Sequence, residues 1–288
     1  QGIDTVVTQI AAEVLGLPMS DIKIAIEDTD STILEAGMYA SRGTVWAGSA
    51  VKVAAEDARR QLGEVAAEML EVAPEKLVFK DGRIFVEGNA DRGCSMQDVV
   101  RHADYDLGRP IYGRGSWTAP RLDEPGYEGT GLGTHPFEYS SLAQAVEVEV
   151  DPETGQVKIL RSVTADEMGQ PINSMLLAGQ IEGGTMCEMG QALYEEVLWD
   201  EKGRPLNPKF HDYKMPTHMD APPQKVFHVI SPSEYGPFGA KGGGERSTNT
   251  SLAAIVNAVC DAVGYRFTEL PITPQRIIQV LKEKKDKQ

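Results

Sequence analysis

The sequence predicts an α+β protein in which helices pack against mixed sheets. Helix-like and strand-like segments interleave along the 288 residues, but without the steady strand–helix–strand rhythm of a parallel α/β fold. Two turn motifs, Asp81-Gly82 and the segment 151–155, each join two strand-like runs and predict antiparallel hairpins. Several longer segments carry apolar residues at helical spacing.

The first elements follow from periodicity. Apolar residues at helical spacing predict a helix over residues 3–15, which Gly16 ends. Alternation of apolar and polar residues predicts a strand over residues 22–26. A loop of unusual composition, residues 28–43, precedes a long helix predicted over residues 45–70.

The middle of the chain is predicted to be less regular. The Asp81-Gly82 turn gives a hairpin over residues 78–86, and residues 95–101 suit a short helix. Residues 111–139 are rich in Gly, Pro and aromatic residues and predict a long ordered loop. Such a loop in a compact protein is usually functional.

The second half is predicted to contain a hairpin, a long helix, short strands and two closing helices. These elements are strands at 143–150, 156–163, 193–198 and 225–230 and helices at 174–191, 250–263 and 274–282. The stretch before residue 223 is rich in proline and is predicted to be irregular.

Composition excludes several classes of function. The formal charge of −15 and the pI near 4.8 argue against a nucleic-acid partner, because phosphate contacts need clustered Lys and Arg. No apolar run approaches the roughly 20 residues that span a bilayer. A content of 41% hydrophobic and 25% charged residues is typical of soluble globular proteins. The chain begins with Gln1 rather than Met, so we expect it to be trimmed, processed or cut from a longer protein.

The cysteines and histidines give no metal motif. Cys94, Cys187 and Cys260 are widely separated, which excludes a self-contained iron–sulfur cluster or zinc ribbon. Their odd number suits a reducing compartment, so we expect a cytoplasmic protein. The five histidines show no ligand spacing, and no histidine-bound metal is predicted.

The strongest candidate site is the segment Gly239-Ala-Lys-Gly-Gly-Gly-Glu245. Glycines around one lysine let a backbone turn with its N–H groups pointing inward, which can hold an anion or a polar cofactor. It is not a Walker A loop, because Lys241 is followed by Gly242. Glu245 is either a charge that stabilises a helix start by about 0.3–1 kcal/mol or a catalytic base. The residues alone leave both interpretations open.

Two further segments lie at predicted helix starts. Gln1-Gly2 can present backbone N–H groups to a phosphate or to a pterin edge, or can be a plain helix entry. Residues 37–44 are small and polar and offer N–H and hydroxyl donors. Alternatively, Ser41 or Thr44 simply caps the following helix.

The fourth segment is a glycine-rich helix. Gly179, Gly183, Gly184 and Gly190 each cost about 0.8–1 kcal/mol relative to alanine in a helix, so something is expected to approach this backbone closely. The approaching group is either a neighbouring helix or a cofactor. The nearby methionines at 186 and 189 are predicted to belong to the core.

Together, and in this order, the four segments resemble the molybdenum-cofactor-binding subunit of the xanthine dehydrogenase and aldehyde oxidase family. The resemblance covers essentially the whole chain. It rests on residues 1–16 (similar to the family's Gly-Gln-Gly loop without its first Gly, and the following helix), Ser41-Arg-Gly-Thr44 with Ala47-Gly48, the hairpin 146–155, the segment 179–183, and residues 239–245 with 270–274.

The resemblance implies a mechanism and a set of site residues. Glu245 matches the general base of the family, and the metal is held by a pterin dithiolene, so no protein ligand to molybdenum is expected. Molybdopterin, as the cytosine dinucleotide, is expected to contact Gln1, Gly2, Met38, Tyr39, Ala40, Ser41, Arg42, Thr44, Gln180, Lys241, Gly242 and Gly243. Residues 1–139 and 140–288 are then a first and a second cofactor-binding lobe.

The resemblance also implies a substrate class and partners. We expect hydroxylation of an N-heterocyclic aromatic such as nicotinate, with water as the oxygen source, as in the split nicotinate dehydrogenases. Other chains are expected to carry FAD, [2Fe-2S] clusters and the first half of the molybdenum region. The alternatives are an aldehyde-oxidising or hydroxybenzoyl-CoA reductase-like relative, or a non-catalytic scaffold.

Two positions depart from the family pattern. Arg246-Ser247 stands where the family commonly has Pro-Pro after the glutamate. At Tyr39-Ala40 the purine enzymes have two small residues facing the substrate, so Tyr39 is expected to bind substrate and to narrow the pocket. Xanthine itself is therefore not the expected substrate.

Overall fold

The computed structural model describes residues 1–25, 28–30, 32, 37–119 and 138–286. The chain divides into two compact units. The first unit consists of Gln1–Tyr139, Gly169–Asn173 and Pro232–Gly242, and the second consists of Ser140–Met168, Ser174–Ser231 and Gly243–Gln288. Within the described ranges, no helix is both long and apolar enough to cross a membrane.

Two helices organise the first unit. Helix α1 spans Ile3–Leu15 and helix α2 spans Gly43–Leu70, so both predicted helices are confirmed. The helices pack closely because Gly48 has no side chain: a Cβ at this position would lie 2.8 Å from Ile10 Cδ1. Ile10 is itself almost fully buried.

A small antiparallel sheet completes the first unit. Strands β1 (Leu77–Lys80) and β2 (Arg83–Val86) form the predicted hairpin, and both turn residues, Asp81 and Gly82, have positive φ, as this tight turn requires. Strand β3 (Asn89–Ser95) adds to β2.

Helix α3 (Met96–Arg101) begins where predicted, because the Ser95 hydroxyl accepts a hydrogen bond from the Asp98 backbone N–H. A single π-helical turn, His102–Asp106, follows it. Residues 111–119 and 138–139, the described parts of the predicted long loop, have no regular structure, and residues 120–137 of that prediction lie outside the described residues.

The prediction of a strand at 22–26 was wrong for the described residues 22–25, which have no strand structure. Alternation alone does not make a strand, because the backbone groups must also pair with a neighbouring strand. The opposite error concerns β3, which the sequence did not predict because its residues are polar. Its pairing with β2 stabilises the strand instead.

The second unit contains the mixed sheet that the sequence predicts. Its order is β4-β5-β6, with β4 and β5 antiparallel and β5 and β6 parallel. The strands are β4 (Ser141–Val150), β5 (Val157–Glu167) and β6 (Gln224–His228), and the helices are α4 (Ser174–Leu193), α5 (Thr248–Val263) and α6 (Pro274–Lys285). The α+β class is therefore confirmed.

The core of this unit lies where α4, α5 and α6 meet the sheet. Ile255, Val259 and Ile277 are fully buried there, together with Met189. Met186 packs against the same cluster, so the prediction that both methionines belong to the core is confirmed.

The strand predicted at 193–198 was wrong. Helix α4 continues through Leu193, which is buried in the core. The chain then runs irregularly, with an isolated bridge between Trp199 and Pro205. Burial of Leu193 by helical packing therefore determines its structure, rather than the local alternation of apolar residues.

A buried hydrogen-bonded pair, Asp166 and His228, holds strand β6 in place. The Asp166 side chain is 1% exposed, and His228 Nδ1 lies 2.8 Å from one of its carboxylate oxygens. His228 Nε2 lies 3.2 Å from the Ser174 carbonyl oxygen, at the start of α4. Burial raises the pKa of the Asp166 carboxyl above its ordinary value, while the hydrogen bond from His228 opposes this rise. The pair joins β5, β6 and α4.

Two glycines with the same backbone conformation allow a test of the packing at the β4–β5 turn. Gly155 has φ +72°, and a Cβ there would lie 2.3 Å from the Pro274 carbonyl oxygen; Gly203 has φ +73° and open space around it. Both alanine substitutions strain the backbone by about 1–2 kcal/mol. We expect Gly155→Ala to lower the free energy of unfolding by an additional 1–3 kcal/mol or so, measured by chemical denaturation. Equal losses in the two variants would contradict this packing.

Candidate functional site

The predicted site residues divide between the two units. The second unit contains Gln180, Gly243 and Glu245. The first unit contains the rest, which are Gln1, Gly2, Met38, Tyr39, Ala40, Ser41, Arg42, Thr44, Lys241 and Gly242.

The head of α1 is an uncapped helix start. Gly2 is the N-cap residue, with φ 82° and ψ 11°, a conformation that suits glycine. No side chain caps this helix, and Gln1 is exposed. The first backbone N–H groups of a helix with this arrangement can bind an anion.

The loop before α2 lies against this helix start. A Cβ added to Gly43 would lie 2.6 Å from Met38 Sδ and 3.6 Å from Ile3 Cδ1. The lack of a side chain at Gly43 therefore lets the Met38 loop fold down beside the first residues of α1. Two of the segments that the sequence singled out are thus brought together.

The same loop carries backbone strain. Ala40 and Ser41 have φ values of 55° and 57°, a left-handed conformation that costs non-glycine residues of the order of 1–3 kcal/mol each. Strain of this kind concentrates at ligand-binding sites. The interpretation of Ser41 or Thr44 as a helix cap was wrong, because the N-cap of α2 is Arg42 and no side chain caps the helix.

Arg42 is held between two aromatic rings. Its guanidinium carbon lies 4.5 Å from the centroid of the Trp46 ring and 4.8 Å from that of the Tyr39 ring, and its Nη1 donates to Tyr39 Oη at 3.1 Å. Trp117 packs edge-on against Trp46 at 5.2 Å. Tyr39 is 62% exposed, so its ring faces solvent while Arg42 is fixed behind it. Neither tryptophan was predicted from the sequence to take part in the site. The i, i+4 spacing of Arg42 and Trp46 could have indicated that these two side chains are neighbours on a helix.

The glycine-rich loop contacts the strained loop within the first unit. A Cβ on Gly242 would lie 2.5 Å from the Ser41 carbonyl oxygen. Gly242 does not have a positive φ. This position therefore needs glycine because there is no space for a side chain, and not because of its backbone conformation. Lys241 Nζ donates to the Tyr139 carbonyl oxygen at 3.0 Å. Three of the predicted cofactor segments therefore meet in the first unit.

In the second unit, the remaining part of the glycine-rich segment runs along one face of α4. A Cβ on Gly243 would lie 2.4 Å from Leu177 Cδ1, and a Cβ on Gly184 would lie 2.0 Å from Ser247 Oγ. Residues 177, 180 and 184 share one helix face because their spacing is i, i+3, i+7. Gln180 therefore belongs to the same face of α4 as the two contacts.

Glu245 is the central residue of that segment. It is exposed, and its carbonyl oxygen accepts a hydrogen bond from Thr248 Oγ1 at 2.6 Å. Helix α5 begins only at Thr248 and has no acidic residue in its first turn. Glu245 precedes the Ser247 N-cap of this helix and is not part of its first turn. Gly243 and Ser247, on either side of Glu245, both lie against α4.

The helical glycines of α4 have two different surroundings. Ser247 Oγ lies against Gly184, and the Glu195 carboxylate lies 1.9 Å from where a Gly190 Cβ would be. By contrast, an added Cβ at Gly179 or Gly183 would meet nothing within 4 Å. These two glycines form an open backbone surface next to Gln180.

Ser247 was singled out from the sequence only as part of the departure from the family's Pro-Pro, not for its hydroxyl group. It is 1% exposed, and its hydroxyl oxygen has no hydrogen-bond partner among the residues that the structure describes. A buried hydroxyl without a partner is costly. Only the folded arrangement, with Ser247 packed against Gly184, reveals it.

A comparison with protein families gives one match, to the molybdopterin cofactor-binding domain, over residues 1–222. Among curated proteins, the chain is 35% identical over 286 residues to the nicotine 6-hydroxylase large subunit of Paenarthrobacter nicotinovorans, covering 98% of this chain and 34% of that protein.

Solved structures give the same result. The chain resembles quinoline 2-oxidoreductase from Pseudomonas putida 86, with a TM-score of 0.82 and 31% identity over 98% of this chain and 35% of that one. It also resembles the aldehyde oxidoreductase of Desulfovibrio desulfuricans ATCC 27774, with a TM-score of 0.75 and 26% identity over 96% and 27%. The chain thus spans about a third of the length of these relatives.

Proposed function

Because this chain is a molybdopterin cofactor-binding domain of the xanthine dehydrogenase and aldehyde oxidase family, we propose that it forms part of the catalytic site of a molybdenum-dependent oxidoreductase. In this proposal it holds the pterin and supplies the general base. The observation that supports the proposal is that Gly243 and Ser247, which flank Glu245 in the sequence, both lie against α4, the helix that carries Gln180 and the open glycines Gly179 and Gly183.

The residues fit the proposed cofactor in three respects. Gly179 and Gly183 leave space where a large planar group can approach the helix backbone. The uncapped start of α1 and the neighbouring loop offer N–H donors for phosphate oxygens. Ser247 has a buried hydroxyl without a partner in the described part of the chain, next to the same helix.

The proposed roles follow the units. In the first unit, Gln1, Gly2, Met38, Tyr39, Ala40, Ser41, Arg42, Thr44, Lys241 and Gly242 contact the cofactor, and in the second Gln180 and Gly243 do so. We accordingly propose two cofactor-binding lobes, residues 1–139 and residues 140–288. Two segments within the second range, 169–173 and 232–242, belong to the first unit and are assigned to the first lobe.

The bound cofactor supplies the two-electron oxidation and the activation of a water-derived nucleophile. The task of the chain is to position the groups and to move the proton. In this proposal a carboxylate oxygen of Glu245 would accept the proton of the nucleophile, and the contacts of Gly243 and Ser247 with α4 would hold the segment that carries it.

The finer substrate class that we propose is an N-heterocyclic aromatic such as nicotinate, and the finer cofactor form is the cytosine dinucleotide. Two relatives are named for nicotine and quinoline, both N-heteroaromatics. Tyr39, with its ring exposed and its hydroxyl bound to Arg42, offers a flat surface on which such a ring can stack.

The second candidate is an aldehyde-oxidising enzyme, which the likeness to an aldehyde oxidoreductase favours. A hydroxybenzoyl-CoA reductase-like activity is a further alternative. Turnover of the complete assembly with nicotinate, quinoline or benzaldehyde and an artificial electron acceptor, and with 4-hydroxybenzoyl-CoA and a reduced artificial electron donor, separates these possibilities. Faster turnover of benzaldehyde than of both heterocycles would overturn the proposed substrate class.

We also propose that the chain works with further polypeptide. The relatives with subunit names are parts of larger complexes, and about two thirds of their length has no counterpart here. In our proposal this remaining part, together with [2Fe-2S] clusters and FAD, encloses the metal and carries electrons away.

Elemental analysis tests the proposed function. The complete assembly, purified from its natural host through a tag on this chain, is expected to contain about one molybdenum and one cytidine nucleotide per chain. A non-catalytic scaffold would contain no molybdenum, and that result would overturn the proposal.

A further inference from the structure

A second feature of the chain lies away from the glycine-rich segment. Between α4 and β6 the chain runs through residues 194–219, here called the apolar arm, which contain no helix or regular strand. This short stretch holds about a third of the large apolar side chains that are exposed in the described residues. They are Tyr194, Val197, Leu198, Trp199, Leu206, Phe210, Met215 and Met219.

The exposure of these side chains is large. Phe210 is 89% exposed, Met219 80%, and Trp199 and Leu206 60% each. Single exposed apolar residues are normal on a protein surface, but a concentration of aromatic and methionine side chains marks an interaction site. Exposing this much apolar surface permanently to water is unfavourable.

The apolar arm is nevertheless built in a defined conformation. The Leu206 N–H donates to the Leu198 carbonyl oxygen at 2.7 Å, and the Asp200 N–H donates to the Arg204 carbonyl oxygen at 3.0 Å. Asn207 completes this small hairpin, since its Nδ2 donates to the Glu196 carbonyl oxygen and its Oδ1 accepts from the Leu198 N–H. The hairpin thereby fixes Leu198, Trp199 and Leu206 in advance.

The rest of the arm is held to its own start and to helix α4. Tyr213 Oη donates to a carboxylate oxygen of Glu195, at the start of the arm, at 2.8 Å. Pro216 lies close to Gly190, where an added Cβ would be 3.0 Å from Pro216 Cδ. Anchors that are ordered before binding lose little conformational entropy when a partner covers them.

We propose that the apolar arm is the docking surface for the part of the large-subunit polypeptide that the relatives have and this chain lacks, whether that part is joined to this chain or encoded separately. This inference rests on the proposed function. The relatives are about three times as long as the matched region, so a polypeptide larger than this chain must pack against it. A permanent contact of that kind buries an apolar patch of this composition.

The experiment compares two pairs of substitutions in the tagged assembly from the natural host. Trp199→Ser with Phe210→Ser removes the two largest exposed anchors of the arm. The control, Tyr105→Ser with Tyr112→Ser, removes two aromatic side chains of similar exposure (81% and 66%) in the first unit. For the double variant in the arm, we expect at least a roughly tenfold fall in the amount of the missing large-subunit part that is recovered with each tagged chain. For the control double variant we expect no fall.

If the missing part is joined to this chain, hydrogen exchange gives the equivalent readout. Residues 194–219 are expected to exchange slowly in wild-type protein and quickly in the arm pair, while circular dichroism stays unchanged. Cross-links from Lys202, Lys209 or Lys214 are expected to reach the missing part. Cross-links that reach only a second copy of this chain would overturn the inference, as would unchanged recovery and exchange.

The two proposals fail separately. An assembly without molybdenum, but with a protected arm, would overturn the proposed function and leave the docking surface. An assembly with full molybdenum content and a freely exchanging arm would overturn only the docking surface.

Discussion

Replacing Glu245 with glutamine is expected to lower kcat of the complete assembly by about 100- to 10,000-fold, the usual contribution of a general base. Glutamine has nearly the shape of glutamate but cannot accept the proton. The segment 243–247 is held on α4 by contacts at Gly243 and Gly184, neither of which involves the changed side chain. Molybdenum and pterin contents are therefore expected to equal those of the wild type.

The control is Glu153→Gln, which makes the same chemical change at an exposed position in the β4–β5 turn. It is expected to leave kcat unchanged. Two results would contradict the proposed role of Glu245. One is wild-type turnover in the Glu245 variant, and the other is a loss of turnover that is fully explained by a matching loss of molybdenum.

The second large effect is expected from Gly242→Ala. The added Cβ would lie 2.5 Å from the Ser41 carbonyl oxygen, in a loop where Ala40 and Ser41 are already strained. Relieving an overlap of this kind costs about 1–3 kcal/mol. If the loop moves away from its cofactor-binding conformation, this cost corresponds to a roughly 5- to 150-fold loss of cofactor affinity. Molybdenum per chain after dialysis measures the effect.

Gly63→Ala is the matched control. It makes the same substitution inside α2 of the same unit, where the added Cβ would meet Phe79 Cζ at an ordinary 3.6 Å. This variant is expected to retain its molybdenum. Full molybdenum content in the Gly242 variant would show that the contact between the two loops does not shape the cofactor site.

The sequence predicted the long helices and the hairpins because strong local signals agree with their packing. In α1 the apolar spacing, the glycine after Leu15 and burial of Ile10 all favour the same helix. The Asp81-Gly82 turn needs positive φ at both residues, and its sequence signals this directly.

The errors occur where non-local pairing decides the structure. Residues 22–25 alternate like a strand but have no strand structure, whereas polar β3 is ordered by its pairing with β2. Leu193 belongs to the core side of α4, which no pattern within 193–198 could show. A single sequence contains little information about such partners.

For the candidate site, the sequence supplied the segments but not their arrangement. It identified Gly242 and Gly243 as a glycine-rich loop, yet the structure shows that Gly242 is needed for close packing against the Ser41 backbone, while Gly243 lies against the end of the Leu177 side chain. The strain at Ser41 gave no signal, because serine is not a residue type that prefers the left-handed conformation. Contacts of this kind become visible only in three dimensions.

The most direct measurement is an experimental structure of the complete assembly with its cofactor bound. The proposed mechanism predicts that a Glu245 carboxylate oxygen lies about 2.6–3.2 Å from a non-protein ligand of the molybdenum, or one water molecule further away. A Glu245 side chain that points into solvent, many ångströms from the metal, would contradict the proposed role of this residue.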